Sequence, residues 1–98
     1  MKLVENIINE CGISKVRVAK YLGVSRQMLY NYFAMDFKDV PKEKMNKIFK
    51  LFGVEGEEEL KNLKIDDKLS HQIEERLSAE IIDISNKEGI IAFHFFSL

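Results

Sequence analysis

The sequence predicts a mainly α-helical protein: a five-helix domain built on a helix-turn-helix over residues 1–64, then one more helix and a closing β-strand over residues 65–98. Three observations predict it. Apolar residues recur at helical spacing along most of the chain, so that each stretch has one face to bury. Gly12, Gly23 and Gly53 fall where those patterns stop, and Ser14 and Ser25 stand just ahead of where two of them start. Only the final residues, IIAFHFFSL, have the branched and aromatic content of a strand.

In the first stretch, Val4, Ile7, Ile8 and Cys11 follow the i, i+3, i+4, i+7 rule, which gives an amphipathic helix from Leu3 to Cys11 that Gly12 ends. Ser14 caps the next helix, Lys15 to Leu22, with Val16, Val18, Ala19 and Leu22 expected on its buried side and Arg17, Lys20 and Tyr21 outside. Gly23 supplies the positive φ of a tight turn, and Val24 follows as an apolar plug between helices. Ser25 caps a third helix, running to residue 34, whose buried arc is Ser25, Met28, Leu29 and Tyr32. Its opposite arc is Arg26, Gln27, Tyr30 and Asn31.

After the loop MDFKDV, Pro41 suits a first helical position, and Met45, Ile48, Phe49 and Phe52 give a fourth helix that Gly53 closes. Its outer face carries Lys42, Lys44, Lys47 and Lys50, the last three expected in solvent. Glu57, Glu58 and Glu59 suit the N-terminal turn of a short fifth helix, with Leu60 and Leu63 for packing. Consecutive carboxylates point in different directions and no histidine accompanies them, so the triplet reads as a helix start rather than a metal site.

Residues Lys64 to Asp67 form a charged connector. Leu69, Ile73, Leu77, Ile81 and Ile84 then mark a helix from about Lys68 to Ser85. A helix and one strand make no independent core, and a lone strand leaves its backbone groups unpaired. The simplest completion is a second copy of the chain, with Leu69, Ile73, Leu77, Ile81, Ile91, Phe93 and Phe95 at the interface. Folding back on the first domain, or strand addition to another protein, would also complete it.

Net charge is −1, an average over unlike parts. Residues 1–54 hold ten Lys or Arg against five Asp or Glu; residues 55–98 hold five against eleven. The positive charge travels with the helix-turn-helix, as contact with phosphate requires. No apolar run is long enough to cross a bilayer, and charges interrupt any signal-like N-terminus, so a cytoplasmic protein is expected. The lone Cys11 forms no internal disulfide and reads as a small buried apolar residue. His71 and His94 lack metal-ligand spacing. No nucleophile stands beside a base and no glycine-rich phosphate loop is present, so neither catalysis nor a cofactor is expected.

Val18, Ala19, Leu22, Gly23, Val24, Ser25, Arg26, Gln27 and Leu29, in that order and spacing, resemble the helix-turn-helix of the Cro and phage-repressor family of DNA-binding proteins. Tyr32 departs from the branched aliphatic more usual at its position. The resemblance covers about Met1 to Leu63. It implies a sequence-specific regulator of double-stranded DNA, with the helix of residues 25–34 in the major groove and a dimer reading an inverted repeat. It puts base contacts at Arg26, Gln27, Tyr30 and Asn31, and sugar-phosphate contacts at Lys38 and Lys42 and around Ser25. Lys15 and Arg17, early in the preceding helix, are further candidates for the backbone. Carboxamides suit adenine and a guanidinium suits guanine or phosphate. A second function of another class is a protein-interaction module, such as an antitoxin whose C-terminal segment binds a partner protein. The polar face of the third helix favours DNA.

Overall fold

The computed structural model of the chain describes residues 1–79. The protein is mainly helical. In order come α1 (Lys2–Glu10), α2 (Lys15–Leu22), α3 (Arg26–Phe33), a 3₁₀ turn (Phe37–Asp39), α4 (Lys42–Phe52) and α5 (Glu57–Lys61), followed by α6 over residues 67–79.

Local chemistry sets most of these limits. The Ser14 Oγ accepts from the Arg17 backbone N–H and the Ser25 Oγ from that of Met28 at 3.0 Å, so each serine satisfies a donor that its helix would leave unpaired. Gly23 ends α2 at φ 72°, with its N–H donating to Lys20 O at 3.1 Å, and Gly53 ends α4 at φ 71°. Pro41 differs from expectation by one position: it precedes the first helical residue, Lys42, at φ −52° and ψ 135°. The Val24 N–H donates to Ala19 O at 3.0 Å, which closes the turn between α2 and α3.

One core joins all of these elements. Val4, Ile7 and Ile8 of α1, Val18, Ala19 and Leu22 of α2, Leu29, Tyr32 and Phe33 of α3, Met45, Ile48, Leu51 and Phe52 of α4 and Leu60 of α5 are buried in a single cluster. Leu69, Ile73 and Leu77 belong to it as well, at 4, 0 and 2% exposure. Within the single chain the apolar stripe of α6 thus covers its own domain, where the sequence pattern places it between two copies. Ile81, Ile91, Phe93 and Phe95, the rest of the expected interface, lie outside the described residues, as does the expected strand. No helix among the described residues is long and apolar enough to cross a membrane.

Polar contacts hold α6 in place. Arg17 of α2 pairs with Glu74 and donates through Nη2 to Ser78 Oγ at 3.4 Å, while Arg76 Nη1 donates to Leu51 O at 2.9 Å near the end of α4. A cation suits that place because the last carbonyls of a helix are unpaired and carry its negative dipole end.

The arcs of α2 and α3 differ from expectation at their edges. Val16 and Met28 are 41 and 40% exposed. Tyr21 is half-buried against the core, and Phe33, which the expected buried arc of α3 left out, is buried. An 8-residue helix has only two turns, so which edge residue turns inward depends on what packs against it.

Candidate nucleic-acid interface

The candidate face is the outer side of α3 with the start of α2. Leu29, Tyr32 and Phe33 anchor α3 in the core, and this forces Arg26, Gln27, Tyr30 and Asn31 to the surface, where all four are exposed. Beneath them the Met1 ammonium donates to Phe33 O at 3.0 Å and to Met35 O, so the C-terminal end of α3 is held by a charge as well as by packing. Burial of that ammonium lowers its pKa, and Asp36 opposes the shift.

Within this face the side chains contact one another. Gln27 Nε2 donates to Asn31 Oδ1 at 3.3 Å. Lys15 Nζ lies 5.8 Å from the centre of the Tyr30 ring, and that ring meets Phe33 edge-on at 6.1 Å. Lys15 thereby reaches from α2 across to the exposed arc of α3. Ser25 is exposed; its oxygen caps α3, and its hydroxyl proton remains to be donated.

Other expected contact residues stand apart from this network. Arg17 turns towards α6 and its guanidinium is engaged by Glu74 and Ser78. Lys38 is exposed and lines, with Asp36, Phe37 and Glu57, a shallow surface pocket of about 230 Å³. Lys42 is exposed at the start of α4. Among the described residues, Lys15, Arg26, Lys38 and Lys42 have no carboxylate within ion-pair distance, whereas Lys2, Lys61 and Lys64 pair with Glu5, with Glu57 and Glu58, and with Asp66.

Two lysines expected in solvent are half-buried instead. Lys44 Nζ donates to Leu22 O at 2.8 Å and Lys47 Nζ to Tyr21 O at 3.0 Å, while Tyr21 Oη donates back to Lys47 O at 3.1 Å. Lys47 Nζ also lies 5.3 Å from the Tyr21 ring. The two ammoniums satisfy carbonyls at the end of α2 and fasten it to α4. Nothing in the local pattern signals this, since a lysine's reach depends on which helix end the fold brings near it.

No group of three or more His, Cys, Asp or Glu side chains among the described residues could hold a metal ion. The face offers hydrogen-bond donors, acceptors and positive charge, which suit recognition of a polyanion with distinguishable edges. No family model, curated protein or solved structure matches the chain.

Proposed function

We propose that the protein is a sequence-specific regulator that binds double-stranded DNA, with residues 1–64 acting as a repressor-like helix-turn-helix domain and α3 entering the major groove. One observation carries this reading. Arg26, Gln27 and Asn31 form an exposed polar arc whose hydrogen bond, from Gln27 to Asn31, stays within the arc, while Leu29, Tyr32 and Phe33 fix the helix rigidly beneath it. A helix built this way can present side chains to base edges without itself rearranging.

Arg26, Gln27, Tyr30 and Asn31 then face bases, with Arg26 able to take guanine O6 and N7 or a phosphate. Lys15, Ser25, Lys38 and Lys42 donate to the sugar-phosphate backbone and position the domain without selecting a sequence. The protein acts in the cytoplasm by binding rather than catalysis, and needs no cofactor. Two copies reading half-sites roughly 34 Å apart give the specificity that one helix lacks. They meet through surfaces other than Leu69, Ile73 and Leu77, which are buried in each copy.

Selection of bound duplexes from a randomised pool at near-physiological salt tests this, with a Gln27→Ala, Asn31→Ala variant alongside. The expected result is an inverted repeat enriched by the wild type and blurred by the variant. Binding that favours no sequence and vanishes with salt would reject the regulator reading and redirect attention to a protein partner.

A further inference from the structure

Of the cations expected to touch the DNA backbone, Lys15, Arg17, Lys38 and Lys42, only Arg17 is paired with a carboxylate among the described residues. It stands in the first turn of α2, where unpaired N–H groups and the helix dipole favour an approaching anion, and two residues from Lys15, which reaches the exposed arc of α3. Glu74 and Ser78, one helical turn apart on α6, take its two terminal nitrogens. The guanidinium thus lies between two anions, a carboxylate of its own chain and a phosphate from outside.

The two sides of this contact are built with unequal firmness. On one side α6 is seated deeply, because Leu69, Ile73 and Leu77 are buried in the core and Arg76 Nη1 donates to Leu51 O at 2.9 Å. The grip on Arg17 is looser. The Arg17 and Glu74 side chains are 33 and 42% exposed, so water screens their attraction, and Ser78 Oγ at 3.4 Å is a long acceptor. A guanidinium on a flexible stem can leave such partners while α6 stays in place, and can then make a bidentate, charge-assisted pair with a phosphate. Its departure leaves Glu74 as a bare carboxylate near the duplex, which opposes the exchange.

Resting on the DNA reading proposed above, we infer that α6 is a built-in competitor of DNA for Arg17: Glu74 and Ser78 hold the guanidinium in the free protein, and a backbone phosphate takes it in the complex. The competition lowers affinity for all sequences alike, because a phosphate carries no sequence information. α6 therefore sets how tightly the domain binds and leaves to α3 which sequence it binds.

Binding of the full chain to its enriched duplex and to an unrelated one is measured across salt concentrations for the wild type, Glu74→Gln, Glu75→Gln, Arg17→Gln and the Arg17→Gln, Glu74→Gln double variant. Glu74→Gln removes the charge and keeps the size. It should tighten both duplexes by about twofold to fivefold, as release from a screened ion pair allows. Glu75→Gln removes the same charge from the exposed neighbouring position and should stay within about 1.5-fold of wild type. Arg17→Gln should weaken both duplexes and make the slope of log affinity against log salt shallower by roughly 1. On that background Glu74→Gln should no longer tighten binding. Urea midpoints of all the variants should stay close to wild type, since α6 remains seated. Tightening by Glu74→Gln that persists without Arg17, or that Glu75→Gln matches, would overturn the inference, as would an unchanged slope for Arg17→Gln; an enriched duplex keeps the regulator reading standing in each case. If the wild type enriches no duplex, both fall together.

Discussion

Lys42, Lys44 and Lys47 stand on one helix, yet only Lys42 points into solvent without a partner among the described residues. The side of α4 that meets α2 commits its ammoniums to the carbonyls of Tyr21 and Leu22; the outer arc of α3 and its flanks leave Lys15, Arg26, Lys38 and Lys42 without a carboxylate. Cations of the same kind are thus divided between fastening the fold and facing outward. Total charge does not distinguish the two sets, and their hydrogen bonds do. If the chain binds DNA as proposed, a substitution on the committed side should therefore change stability and leave the salt dependence of that binding alone, and one on the open side should do the reverse.

The largest effect is expected where the committed side is apolar. Ile73 is 0% exposed, and Ile73→Ala should cost about 2–5 kcal/mol in urea unfolding of the whole chain. A loss below about 1 kcal/mol would mean that α6 is not part of the core and would return its stripe to an interface between copies.

Gly53 tests the polar part of the same side. At φ 71° an alanine would be strained by roughly 1–2 kcal/mol, and its Cβ would lie 2.8 Å from Arg76 Nη2. The guanidinium would have to shift away from Leu51 O, losing a hydrogen bond of about 1 kcal/mol or more. Gly12 makes the control: it has φ 66° and nothing within 4 Å of an added Cβ, so Gly12→Ala should show only the backbone cost. Equal losses for the two variants would mean that the Arg76 contact contributes nothing.

These positions also separate what is legible in a linear sequence from what only the folded chain reveals. The helix limits at Ser14, Gly23, Ser25 and Gly53 were legible because a cap or a left-handed turn is chemistry between near neighbours in the chain. The exposed arc of α3 was legible for a related reason, since Leu29 and Tyr32 fix the rotation of the helix and hence the direction of Gln27 and Asn31. Long side chains were not. Lys44, Lys47 and Arg76 find helix ends 22 to 26 residues away. Periodicity gives α6 an apolar stripe, but a stripe does not say which core it enters, and Leu69, Ile73 and Leu77 enter this one. The direction of the Gln27 to Asn31 hydrogen bond was equally hidden, because the i, i+4 spacing allows either amide to be the donor.

Next in size comes a matched pair of lysine and arginine. Lys44→Ala should lower stability by about 1 kcal/mol, because a part-buried carbonyl at the end of α2 loses its side-chain donor, with no change in the slope of log affinity against log salt. Arg26→Ala should leave unfolding within about 0.5 kcal/mol of wild type. If Arg26 takes a phosphate, its loss should make the salt slope shallower by roughly 1, and if it takes guanine, sequence preference should relax at one position instead. Lys38→Ala and Lys42→Ala should each shift only the slope. A change in slope for Lys44→Ala would erase the distinction between the two sets.

Arg17 gives the smallest expected effect and the sharpest case, because it occupies a place near the start of α2 that suggests phosphate while its guanidinium pairs with Glu74 and Ser78. Both partners of the ion pair are more than a third exposed or close to it, at 33 and 42%, so solvent screens the pair and its coupling should be only about 0.2–1 kcal/mol. A double-mutant cycle of Arg17→Ala and Glu74→Ala in urea reads that coupling directly. The same variants then separate the two roles by binding. If Arg17 belongs to the committed set, neither change alters the salt slope. If it leaves Glu74 for a phosphate on binding, Arg17→Ala makes the slope shallower, and Glu74→Ala strengthens binding by freeing the guanidinium beforehand. Stronger binding by Glu74→Ala together with a shallower slope for Arg17→Ala would move Arg17 to the open side and make α6 a competitor of DNA for that residue.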